Sequence, residues 1–205
     1  MTASVADRRS QRRDQILAAA WEIAAESGLA AVTLHEVARR VGVRQPSLYG
    51  YVASKLDLYD AMYGQAYAQL LARLEEAPPT GTAREQLAAI SRVVLDFTVE
   101  NPPRQQLLFQ RTLPGFEPSE TSYALAQDVL RRMVDVLTQI GLGNAAHVDL
   151  WTALTVGLAT QQLSNDPGGD RWRRLVPQAV DMFLTAQPAP VQRRSAGSPA
   201  PTIGE

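Results

Sequence analysis

The stretch Thr33-Leu-His-Glu-Val-Ala-Arg-Arg-Val-Gly-Val-Arg-Gln-Pro-Ser-Leu-Tyr-Gly-Tyr-Val-Ala-Ser-Lys55 constrains the fold more than any other part of the chain. Thr33 and Glu36 form a Thr-x-x-Glu capping box, the mark of a helix start. Leu34, Val37, Ala38 and Val41 give that helix one apolar face. Gly42 follows directly, where a helix ending in the left-handed region needs a residue without a β-carbon. A second short helix is predicted from Arg44 to Tyr51. Pro46 falls in its first turn, where a missing amide costs little, and Leu48 is its inward anchor. Arg44, Gln45, Ser47, Tyr49 and Tyr51 are left outside, and these are residue types that donate to phosphates or read base edges in a major groove. Two helices joined at a glycine corner, with such a surface, read as a helix-turn-helix that binds duplex DNA.

Ser54 and Asp57 make a second capping pair, so a further helix is expected over residues 55–76. Lys55 thus stands at a helix N-terminus. A cation opposes the helix macrodipole there, yet amide groups and an ammonium together suit a DNA phosphate.

These residues resemble the TetR-type bacterial transcriptional regulators, in the variant of the motif carried by the tetracycline repressor. The run Gly-Val-x-Gln-Pro-Ser/Thr-Leu-Tyr followed by x-x-Val-x-x-Lys is present as Gly42 to Tyr49 and Val52 to Lys55, and the resemblance covers residues 10–75. It implies that Gln45, Pro46, Ser47 and Tyr49 face the major groove while Thr33, Tyr51 and Lys55 hold phosphates. It also places His35 at a base-reading position. Gly50 stands where the family variant has a bulky aromatic, and Tyr51 where it has a histidine. One DNA interaction of that variant is therefore expected to be missing, and the operator need not resemble a familiar one.

The formal net charge of −1 divides unevenly along the chain. Residues 1–55 carry eight Lys/Arg against five Asp/Glu, a net +3, whereas the remainder carries −4. The basic footprint thus lies on the helix-turn-helix and on the Arg8, Arg9, Arg12 and Arg13 arm before it, which either tracks DNA or is a solvated tail. With no cysteine, disulfides and thiolate zinc sites are excluded, and neither metal nor cofactor is expected. No run of eighteen apolar residues marks a membrane span, and the first residues lack the apolar core of a signal peptide. A cytoplasmic location is expected.

Helix signals recur throughout and strand-like alternation does not, so the expected fold is all-α: an N-terminal three-helix helix-turn-helix domain plus a C-terminal helical ligand-binding and dimerisation domain, about nine helices in all. The domain reading is a disordered basic arm over 1–12, a DNA-binding domain over 13–58 continuing into the linker helix 55–76, a helical domain over 77–187 and a disordered tail over 188–205. Gly/Pro-rich punctuation divides the C-terminal domain into helices of 83–100, 104–112, 119–140, 145–164 and 171–186. Pro177 is expected to kink the last of these or delay its start.

The helices near 145–164 and 171–186 are the expected homodimer interface, because the first is apolar on more than one side and Ala153, Gly157 and Ala159 permit close approach. A dimer implies a palindromic operator as the DNA partner. The resemblance further implies a small-molecule effector held among the C-terminal helices, with candidate lining residues Phe97, Phe109, Phe116, Tyr123, Met133, Trp151, Thr155, Gln161 and Gln162. The expected function is a repressor released from its operator by that effector; the alternatives are an activator or an effector-independent DNA-binding protein. An all-helical enzyme is disfavoured. His35 and His147 are the only histidines, and no nucleophile, metal or phosphate motif is present.

Overall fold

The computed structural model of the chain describes residues 5–76, 78 and 80–186. These residues form eight α-helices and three short 3-10 segments, without a strand. Residues 1–4 of the expected arm and the whole expected tail, 188–205, lie outside them.

Helix α1, Val5–Ser27, begins earlier than the sequence pattern implies. Residues 5–12, expected to belong to a disordered arm, are its first turns. Arginine and glutamine are good helix formers, Asp7 suits the positive end of the helix dipole, and Arg9 donates across to the carbonyl of Gly50 at 3.0 Å. Ile16, Leu17, Ala20, Ile23 and Ala24 line the buried side of α1. The chain then turns at Gly28, with φ +83°, and passes through the 3-10 turn Leu29–Ala31 into α2, Leu34–Arg40.

Helix α2 starts and stops as its composition predicts. Thr33 Oγ1 accepts the Glu36 amide at 3.2 Å. The reciprocal half of the capping box is missing, because the Glu36 carboxylate takes Arg39 instead, at 2.9 and 2.5 Å. At the other end the Val43 amide reaches the Ala38 carbonyl at 3.0 Å and the Gly42 amide reaches Arg39 at 3.3 Å. With Gly42 at φ +70°, this pair of bonds is a Schellman stop. Arg40 clamps α2 onto α1 through a forked interaction with Glu26 at 2.9 and 2.7 Å.

Helix α3, Lys55–Glu76, has 22 residues and so runs about 33 Å. Its first half completes the N-terminal core with Leu58 and Met62, and its second half enters the C-terminal unit through Leu70 and Leu74. Trp21 of α1 holds it by donating to Gln65 at 2.9 Å. Around α3 stand α4, Ala83–Val99; α5, Pro102–Phe109; α6, Glu120–Gln139; α7, Ala145–Asn165; and α8, Val176–Ala186. The starts of α4 to α7 carry recognisable signals: Thr82 and Glu85 form a two-way capping box, Ser119 and Asn144 cap α6 and α7, and prolines occupy the first turn of α5. Because Pro102 itself suits a first helical position, α5 begins two residues before the expected 104. Pro177 delays α8 rather than kinking it; the 3-10 turn Arg173–Leu175 precedes the helix. Helix α4 lies centrally, packed against α3 and all the later helices.

Candidate nucleic-acid interface and ligand cavity

The expected recognition helix is a 3-10 turn, Gln45–Gly50, rather than a longer α-helix. Pro46 occupies its first turn, where a missing amide is tolerated. The turn closes through Ser47 to Arg44 at 2.9 Å and Tyr51 to Leu48 at 2.8 Å. Leu48, 1% exposed, pins it to the core. Arg44, Pro46, Ser47 and Tyr49 project into solvent, Tyr49 at 52% exposure. Gln45 is half-buried, with its amide 3.4 Å from the Tyr49 hydroxyl. Thr33 and His35 are exposed beside this turn at the start of α2, and the Thr33 hydroxyl keeps its proton to donate outward while its oxygen caps the helix.

Tyr51 is half-buried and its ring lies 6.0 Å from the Arg9 guanidinium. The same guanidinium holds the Gly50 carbonyl, so the basic arm and the departing Gly50-Tyr51 pair form one cleft with Arg8 and Arg12. A β-carbon added at Gly50 would meet nothing within 4 Å; neither backbone nor packing requires glycine there.

Lys55 opens α3 with its ammonium already oriented. Nζ donates to the Ala30 carbonyl at 3.0 Å and lies 5.4 Å from the Tyr59 ring, and Tyr59 in turn donates to Leu29 at 2.6 Å. An ammonium has three donors, so two remain for an anion. Ser54 caps the helix beneath it, accepting the Asp57 amide at 3.0 Å.

One turn further along α3, Asp60 joins the two halves of the molecule. Its carboxylate accepts the Ser119 amide at 2.8 Å, the Ser119 hydroxyl at 2.9 Å and the Ser122 hydroxyl at 3.0 Å. A carboxylate at the N-terminus of α6 satisfies orphan donors and complements the dipole.

Beyond Asp60, α3 becomes a wall. Tyr63, Tyr67 and Leu70 face a cavity of about 280 Å3, closed by Ser91 of α4, Leu108 and Phe109 of α5, Met133 of α6 and Trp151 and Thr155 of α7. Tyr123, Gln127 and Leu130 form an exposed rim along α6. Burial pushes the Tyr67 phenol well above its ordinary range and raises Tyr63 as well; both are neutral. At depth, Ser91 and Thr155 share one hydrogen bond at 3.2 Å. Trp151, 1% exposed, packs its ring 5.0 Å from Phe183, and its buried indole N–H has no partner among the described residues.

Of the nine expected lining residues, Phe109, Tyr123, Met133, Trp151 and Thr155 are brought together here, and four are not. Phe97 is fully buried between the guanidinium groups of Arg73 and Arg104, at 5.0 and 4.2 Å. Phe116 packs edge-on against Tyr59 and Tyr63 at 6.0 and 6.1 Å, in a neighbouring cleft that shares Tyr63, Leu108, Phe109 and Tyr123 with the cavity. Gln161 is exposed and accepts from Asn165. Gln162, fully buried, instead organises the α7–α8 connection: its amide donates to Asp166 and its oxygen accepts the Trp172 and Arg173 amides at 2.9 and 3.2 Å. Tyr63, Tyr67 and Ser91 are absent from the sequence-derived set, although two tyrosines four apart on one helix are a usable signal.

On the outer side of α7, Leu150, Ala153 and Gly157 are exposed along one stripe, and Met182 of α8 is 64% exposed. No helix among the described residues is long and apolar enough to cross a membrane.

The family model of bacterial regulatory proteins, tetR family, matches residues 16–62. The activator FasR of Mycolicibacterium smegmatis is 34% identical over 103 residues, which are 50% of this chain and 47% of FasR, so the chain spans about half the length of that relative. The HTH-type regulator Rv1816 of Mycobacterium tuberculosis is 28% identical over 182 residues, covering 80% of this chain and 75% of the relative. Among solved structures, FadR of Bacillus subtilis in complex with stearoyl-CoA superposes with a TM-score of 0.70, at 19% identity over 84% of this chain and 97% of FadR. That likeness establishes a shared fold.

Proposed function

We propose that this chain, a TetR-type DNA-binding transcriptional regulator by its residues 16–62 and its all-helical fold, holds a palindromic operator as a homodimer and leaves it when a small molecule enters the cavity. The observation that carries this reading is the double role of α3. The helix begins at Lys55, whose ammonium keeps two donors for an anion, and, two turns later, supplies Tyr63 and Tyr67 to the cavity wall. A ligand that fits the cavity better in one setting of α3 than in another therefore changes where Lys55 and the recognition turn stand. Only such a difference in affinity shifts the equilibrium; equal binding to both settings does nothing.

In this reading Arg44, Gln45, Pro46, Ser47, Tyr49 and His35 meet bases, while Thr33, Tyr51 and Lys55 hold phosphates. The exposed stripes of α7 and α8 meet their copies across a twofold axis, which sets the spacing of the two recognition turns. Selection from random duplexes with the purified protein tests this: a palindrome emerges, and failure to enrich any duplex refutes it. FasR, an activator, motivates the opposite sign of control. A reporter driven by the selected operator separates the two, since repression lowers basal transcription and activation raises it.

A further inference from the structure

We infer, on the reading of the recognition turn as the DNA-facing element, that the cleft between the start of α1 and the end of that turn holds one backbone phosphate of the duplex. Arg8 and Arg12 grip the phosphate, and Arg9 is a positioning residue that fastens the two sides of the cleft together.

Arg8, Arg9, Arg12, Gly50 and Tyr51 line this cleft, so among the described residues it carries three guanidinium groups and no carboxylate. The three arginines differ in what they touch. Arg9 is engaged within the protein: it donates to the Gly50 carbonyl at 3.0 Å, across 41 residues of chain, and lies 6.0 Å from the Tyr51 ring. Arg8, exposed, and Arg12, half-buried, have no hydrogen bond or ion pair among the described residues. By contrast, Arg39 and Arg40 on α2 of the same domain are taken up by Glu36 and Glu26. Like charges left together repel, and an anion between them removes that cost. A guanidinium also presents a fork of donors that matches phosphate oxygens.

The geometry selects the backbone over the bases. Arg8 and Arg12 are four apart on α1, so they leave the same face of the helix, about 6 Å apart along its axis. A helix with its side chains is about 10–12 Å across, whereas the minor groove of B-DNA is about 6 Å wide. This segment therefore lies along the strand, where an extended arm would enter the groove. Gly50 keeps the approach open. A β-carbon there would meet nothing within 4 Å, so what glycine provides is the space itself, in which a phosphate oxygen reaches the two free guanidinium groups.

The full chain and its Arg8→Gln/Arg12→Gln double variant are to be titrated by anisotropy, over a salt series, with a duplex of arbitrary sequence and with the selected operator. The salt slope of the variant should fall in magnitude by about 0.9 for each cleft seated on the duplex, so by about 1.8 on a palindrome. Operator affinity should fall about tenfold or more, while the selected sequence and the urea midpoint stay parental. Methylphosphonate linkages, each removing one backbone charge, then scan the operator. One position in each half-site should weaken the parent and leave the double variant unaffected. Arg9→Ala should blunt the effect of that same linkage and Arg9→Lys, which retains a donor for the Gly50 carbonyl, should restore it. An unchanged slope, a consensus that relaxes at the operator flanks, or no linkage whose effect depends on Arg8 and Arg12 would each overturn the phosphate site, and a full linkage effect in Arg9→Ala would remove the positioning role. A reduced slope on the arbitrary duplex, with no palindrome enriched, would keep the cleft as a DNA contact while removing the operator reading.

Discussion

Replacing Gly157 with glutamate separates the twofold interface from the fold of one subunit. Gly157 lies on the exposed stripe of α7 between Ala153 and Gln161, and a β-carbon added there meets nothing within 4 Å. The protomer therefore accepts a side chain without a clash. It is also relieved of the cost of glycine in a helix interior, about 0.8–1.0 kcal/mol relative to alanine, most of which glutamate recovers. If α7 packs on its copy, the same change places two carboxylates near the twofold axis, each dehydrated and without a partner. The effective penalty is several kcal/mol per ion, so even about 3 kcal/mol in total weakens dimerisation by roughly 150-fold. Sedimentation velocity over a concentration series reads the association, and urea unfolding at low concentration reads the protomer. The expected result is a monomer that unfolds no earlier than the parent protomer, holds a full palindrome poorly and binds a half-site unchanged. A Gly157→Glu protein that remains a dimer with parental operator affinity would refute the placement of the interface on α7.

Other expectations concern the DNA face and its coupling to the cavity. Lys55→Ala should weaken binding to all duplexes and reduce the salt slope by about one unit for each phosphate that is no longer neutralised; an unchanged slope in anisotropy titrations would remove Lys55 from the phosphate set. Arg44→Ala or Gln45→Ala should instead relax preference at one operator position, by about 1 to 3 kcal/mol where the side chain makes a bidentate pair with a base, and selection with the variant would show which position. Asp60→Ala removes three hydrogen bonds to the start of α6 and should cost about 1 to 3 kcal/mol in urea unfolding. It should also blunt ligand-driven operator release while ligand binding persists; full release with parental sensitivity would show that Asp60 carries no coupling.

Helix starts and stops are the most legible part of this molecule, because they are local chemistry. Thr33, Ser54, Thr82 and Asn144 each accept an amide three residues on, and Gly42 and Gly141 each close a helix with positive φ. Those interactions span a few residues and leave a readable spacing. The recognition turn lies where the sequence places it but winds more tightly than the expected helix, closing through bonds between residues three apart that the apolar spacing does not reveal. The cavity is half legible. Aromatic side chains on α5, α6 and α7 stand out in the sequence, but Tyr63 and Tyr67 lie on α3, whose position between the two halves reads as a connector alone. Gln162 shows the converse: a buried amide suits a ligand or a loop equally well by composition, and only the position of Asp166, Trp172 and Arg173 around it decides. Similarly, Phe97 is aromatic and buried, yet the two guanidinium groups packed against it come from residues far apart in sequence.

The link between Asp60 and the start of α6 bears on how this protein can be recombined. The residue that finishes α6 belongs to the helix that carries the DNA-binding head, so the head and the body do not end at separate boundaries. A chimera joined after Lys55 leaves Asp60 with the body and preserves its partners, whereas one joined beyond Asp60 brings in a foreign residue and leaves the Ser119 amide without its acceptor. Successful exchange of DNA-reading heads should therefore depend on which side of that single carboxylate the splice falls.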